Sequence, residues 1–61
     1  MKVTVVTTLN AEYATEVLGV YANIDVAKAS VPTSWAPYDG GFVGALDEYT
    51  SVYVDEYEVK S

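Results

Sequence analysis

The sequence predicts an α+β fold, an antiparallel sheet of three or four strands with one short helix packed on one face. Three observations carry this expectation. Residues 2–8 alternate in β-branched side chains, residues 24–31 follow a capping asparagine and end at a proline, and the last third is crowded with valine, threonine and tyrosine. With 61 residues the chain forms a single small domain, 1–61, and 51% apolar against 20% charged residues sets it apart from disordered sequences.

In residues 2–8, Val3 and Val5 fall on one face and Thr4, Val6 and Thr8 on the other, the period of a strand. Residues 9–15 mix small and polar side chains and read as a connection with room for one helical turn. Residues 16–21 form the second strand, in which Gly19 marks a bulge or a close backbone approach. Asn23 then offers an N-cap, Asp25 complements the positive end of the helix dipole, and Pro32 stops a helix of about two turns. Its apolar positions make no clean stripe, as expected of a short helix resting on a sheet. Residues 32–41, PTSWAPYDGG, hold both prolines and read as a loop with turn signals at Ala36-Pro37 and Asp39-Gly40.

Two readings compete for residues 42–59. As strands, 42–46 and 52–59 form a hairpin turning near 47–51; as a helix, Leu46, Tyr49, Val52, Tyr53 and Tyr57 fall at helical spacings. The density of β-branched and aromatic residues favours the hairpin. On the last strand Val52 and Val54 share a face with Glu56 and Glu58, whereas Tyr53, Tyr57 and Val59 share the other with Asp55. Neither face is cleanly apolar, which calls for a bulge near Asp55-Glu56 or an exposed tyrosine face. An echo, Leu46-Asp47-Glu48-Tyr49 and Val54-Asp55-Glu56-Tyr57, repeats an acidic-aromatic unit within this region.

Composition removes most chemistries. Three lysines, nine acids and no arginine, histidine or cysteine leave a net charge of −6. Triads and dyads that use imidazole or thiolate, ordinary zinc sites and arginine clamps have no parts here, so neither a catalytic residue nor a metal ligand nor a cofactor is assigned, and the protein is read as no enzyme. Residues 40–44, GGFVG, lack the lysine and hydroxyl of a phosphate-binding loop. Direct nucleic-acid binding is disfavoured, since three lysines cannot neutralise a phosphate array. Spaced carboxylates can instead imitate such an array and occupy the basic site of another protein.

Two groups of residues are candidates for contact with a partner. Asp47, Glu48, Tyr49, Tyr53, Asp55, Glu56, Tyr57 and Glu58 gather five of the nine acids among three tyrosines within twelve residues. They read either as a solvated sheet surface that keeps edges apart, or as an acidic, tyrosine-rich face for a larger protein with a basic surface, with acids steering and rings anchoring. Paired catalytic carboxylates and a calcium site fit less well, for want of a cleft and of EF-hand spacing. Trp35 and Tyr38, held by two prolines, form the second group. Trp35 reads as a core plug; alternatively the two rings project together as a contact for a partner or a planar ligand such as a nucleotide.

The order strand, Leu18-Gly19-Val20-Tyr21 strand, Asp25-Val26-Ala27-Lys28-Ala29 helix and terminal Val54-Asp55-Glu56-Tyr57-Glu58-Val59 strand resembles small β-β-α-β proteins of phages and bacteria. That resemblance implies an accessory protein that binds and inhibits a host factor, defence systems included, in the host cytoplasm. The first residues are too short and too threonine-rich for a secretory leader, and the longest apolar run, residues 17–22, is far below the roughly 20 residues of a membrane span. A cytoplasmic protein without membrane contact is the expectation. A domain of about 60 residues buries only about 60% of its unfolded surface, so a homodimer through an uncovered sheet face is also expected.

Overall fold

A computed structural model describes residues 1–60. Alternating β-branched residues give β1 (Lys2–Leu9), which turns through an asparagine-closed loop into β2 (Thr15–Tyr21). In that loop the Asn10 Oδ1 accepts from the N–H groups of Glu12 and Ala14 at 2.9 and 3.1 Å. The helix α1 (Ile24–Ala29) follows, then β3 (Ala36–Tyr38), β4 (Gly41–Ala45) and β5 (Ser51–Glu58). The five strands form one antiparallel sheet in the order β2-β1-β5-β4-β3, so the first and last strands pair at its centre. This is the α+β class the sequence predicts, and the β-β-α-β order of the resemblance is present with two further strands.

The strand beyond the expected three or four is β3, inside the segment read as a loop. Asp39 and Gly40 both have positive φ, 45° and 84°, the requirement of a two-residue type I′ hairpin turn. The turn folds Ala36–Tyr38 back onto β4, with Tyr38 opposite Gly41 and Ala36 opposite Val43. Pro37 is tolerated because β3 is the sheet's edge, where a missing N–H breaks no ladder bond. Past β3, the Thr33 hydroxyl donates to the Ala45 carbonyl at 3.0 Å and accepts from its N–H at 3.3 Å, closing the rest of the β4 edge.

Residues 42–59 form the hairpin. Its loop is tied by Leu46 N–H donating to the Thr50 carbonyl at 2.9 Å. Between β1 and β5 the register runs unbroken from Lys2↔Glu58 to Leu9↔Ser51, so no bulge interrupts β5 and its tyrosines stay on one face. The bulge lies instead in β2, where Val6 pairs Gly19 and Thr7 pairs Val17, leaving Leu18 without a partner.

The Asn23 side chain caps α1 by accepting from the Val26 N–H at 2.9 Å. The helix is six residues long, shorter than expected, because Ser30 takes the Ala27 carbonyl with both its N–H (3.1 Å) and its hydroxyl (2.6 Å). It lies over β2, β1 and β5 through Ala27, which is fully buried. Val6, Val31, Val52 and Val54 complete the buried core, with Tyr21, Ile24, Trp35 and Phe42 packed around it. Trp35 Nε1 donates to the Lys28 carbonyl at 3.0 Å, and the Lys28 ammonium sits 3.9 Å from the centre of the Phe42 ring. Thr4 also faces this core, and its buried hydroxyl has no hydrogen-bond partner among the described residues. Among the described residues no helix is long and apolar enough to cross a membrane.

Candidate functional site: the open face of the sheet

Residues opposite one another across neighbouring strands share a face, so the register maps the side of the sheet away from α1. One row runs Val20, Val5, Asp55, with Gly41 and its partner Tyr38 lying beyond the Asp55 carboxylate, and the adjacent row runs Val17, Thr7, Tyr53, Val43, Ala36 from edge to edge. Val3 and Tyr57 pair beside the first row. Among the described residues no element covers this face: Val17, Val20, Tyr38 and Tyr57 are 64%, 59%, 57% and 54% exposed. Exposed apolar side chains scattered singly are ordinary, but a contiguous set spread over the strands of one face is the kind of patch that marks an interaction site.

Asp55 is the only charged side chain at these register positions, and it sits midway along the central strand. Its neighbours two residues away on the same strand are Tyr53 and Tyr57. Across the sheet it pairs with Val5 on one side, and on the other its carboxylate lies beside Gly41. A Cβ at Gly41 would lie within 2.6 Å of the Asp55 Oδ1 and collide with the Val54 carbonyl oxygen, so the carboxylate occupies the space a side chain would fill. Tyr38, beyond Gly41, leans on Tyr53 with ring centres 5.9 Å apart and planes tilted by 50°. The rings and the carboxylate therefore form one cluster built from β3, β4 and β5.

The acidic-aromatic group read from the sequence is divided among three places. Tyr53, Asp55 and Tyr57 lie on the open face. Asp47, Glu48 and Tyr49 occupy the β4–β5 loop, where the Asp47 carboxylate accepts from the Tyr49 N–H at 2.8 Å and so shapes the turn. Glu56 and Glu58 point to the helix side of β5, beyond the reach of α1, opposite Thr4 and Lys2; Glu58 also pairs with the Met1 ammonium at 3.1 Å. Trp35 and Tyr38 are likewise separated. Trp35 packs against the core at the margin of the helix while Tyr38 stands on the open face, so the two rings do not grip one planar ligand between them.

The valines at positions 3, 5, 17, 20 and 43 belong to the site and were not singled out as functional in the sequence. Alternation alone places Val3 and Val5 on one face; which of the faces lies uncovered depends on where α1 docks. Comparisons with protein-family models, curated proteins and solved structures found no match.

Proposed function

We propose that this protein is a nonenzymatic binding module whose uncovered sheet face holds a larger protein with a basic surface. The supporting observation is the face itself, tyrosines and valines spread over the strands around a single central carboxylate. Aromatic side chains with few rotatable bonds anchor interfaces, and a net charge of −6 draws a cationic partner while repelling acidic ones. Glu48 in the β4–β5 loop and Glu56 on the other side of the sheet contribute to that field at a distance. A partner whose basic surface is occupied in this way loses it for nucleic acid, and inhibition is the consequence, as the likeness to phage accessory proteins implies.

Charge favours such a partner over a second copy. In a twofold, face-to-face dimer the central carboxylates approach one another and two bodies of charge −6 are brought together, a juxtaposition that costs free energy unless a cation intervenes.

Asp55 and Glu56 are adjacent in sequence and on opposite faces, so single reversals separate the faces at equal change in net charge. With the immobilised protein and a lysate of its native host, a protein retained by the wild type and by Glu56→Lys is expected to be lost from Asp55→Lys, and its retention to weaken with added salt. Retention indifferent to Asp55→Lys, or equally sensitive to both reversals, would sink this reading.

A further inference from the structure

Resting on the open face as the binding surface, we infer that the cluster around Asp55 is a seat for an arginine side chain of the partner. Three features of the cluster select this chemistry. First, the carboxylate is half-buried, and among the described residues no cation lies within ion-pair distance of it. Its charge is left for a group supplied from outside. Second, Tyr53 and Tyr57 stand two residues to either side on the same strand and the same face, about 7 Å from Asp55 at strand spacing, and put aromatic surface within reach of a group seated on the carboxylate. Third, the position beside Asp55 is Gly41, so the carboxylate lies over bare backbone, and Tyr38, the partner of Gly41, rests on Tyr53.

A guanidinium fits this frame better than an ammonium. It is planar, so it stacks on a ring while presenting two parallel N–H groups to both carboxylate oxygens, and it is more weakly hydrated, so covering the site costs it less. A lysine ammonium meets the carboxylate as a hydrated point charge and leaves the rings unused.

The test uses the intact protein and three capped peptides, acetyl-Val-Arg-Val-amide and its lysine and citrulline counterparts, followed by NMR titration of the backbone amides and tyrosine rings. Saturable shifts at Tyr53, Asp55, Tyr57 and Tyr38 are expected with the arginine peptide. The lysine peptide is expected to bind about threefold or more weaker and the citrulline peptide, which keeps the shape and loses the charge, about tenfold or more weaker. Asp55→Asn, which preserves the side chain's outline, should lower arginine-peptide affinity about tenfold, and Tyr57→Leu should narrow the arginine-to-lysine ratio. Equal binding of arginine and lysine peptides, shifts centred on Asp47 and Glu48 or on Glu56 and Glu58, or no saturable shift would overturn the inference. So would a dimer at micromolar concentration that Asp55→Asn strengthens, since a second copy would then cover the face. Host-protein capture that depends on Asp55 without any preference for arginine removes this inference alone; a selective peptide seat with no face-dependent capture removes the proposed function and leaves the seat.

Discussion

The two faces of the sheet divide the apolar residues in an unexpected way. Beneath the helix the strands offer Thr4, Val6, Val52 and Val54, all small and β-branched, whereas three of the four strand tyrosines, at positions 38, 53 and 57, stand on the side left uncovered among the described residues; the fourth, Tyr21, packs against the core. The covering layer explains the first half of this. A six-residue helix touching the sheet through Ala27 approaches closely, and close approach leaves no room for rings directly under it; Tyr21, Trp35 and Phe42, none of them fully buried, fill in at its margin. Folding therefore rests on a small, tightly packed face. The larger apolar side chains of the opposite face contribute little to that packing and are free for association.

Substitutions can break this contrast or refine it. Gly41→Ala is expected to be the most damaging single change on the open face, about 3 kcal/mol in urea unfolding, because its Cβ meets a backbone carbonyl that cannot swing aside. Next, Val54→Ala and Val6→Ala on the covered face should each cost about 2 kcal/mol, two methyls of burial plus the cavity left behind. Val20→Ala on the open face should stay within about 0.5 kcal/mol by the same measurement. Losses of similar size at Val20 and Val54 would mean that the open face is covered in solution. Thr4→Val keeps the shape of the side chain and removes a buried hydroxyl without a partner, so unfolding should become about 1 kcal/mol harder. The smallest effect is expected at Tyr13, whose backbone has φ 61° in the loop before β2; Tyr13→Gly should gain about 0.5 kcal/mol in thermal or urea unfolding, relief of the left-handed strain offsetting glycine's entropy.

Much of the architecture was legible because local rules and tertiary structure agree. Alternation gave β1 its two faces correctly, Asn23 and Asp25 announced the helix start, and the β propensity of residues 51–58 outweighed their helical spacings. The strand at Ala36–Tyr38 was hidden because proline argues against strands except at an edge, and edges are set by long-range pairing. For the candidate site, the sequence showed that Tyr53, Asp55 and Tyr57 share a face and offered an exposed tyrosine face as one resolution of β5. It could not show that Tyr38 joins them, since that depends on the β3–β4 register, nor that Glu56 and Glu58 sit on the far side from the uncovered valines. Proximity in the chain is a poor guide within a strand, where consecutive residues point apart.

Both sheet edges also carry protection that fits a single-face role. Pro37 and the shortness of β3 blunt one edge, and the unpaired Leu18 interrupts the other, so chain-to-chain strand pairing is discouraged while the broad face stays open.

The pairing of β1 with β5 sets the order in which the molecule can be completed. The β1–β2 hairpin and the β3–β4–β5 meander are each local, but Val6 gains its neighbour Val54 only after β2, α1, β3 and β4 have been made. During synthesis β1 waits with its core side only partly shielded, and β5 completes both the buried layer and the tyrosine face. A nascent chain halted before residue 51 would thus lack the central strand and, with it, Tyr53, Asp55 and Tyr57 together, so the buried layer and the tyrosine face are completed by the same strand.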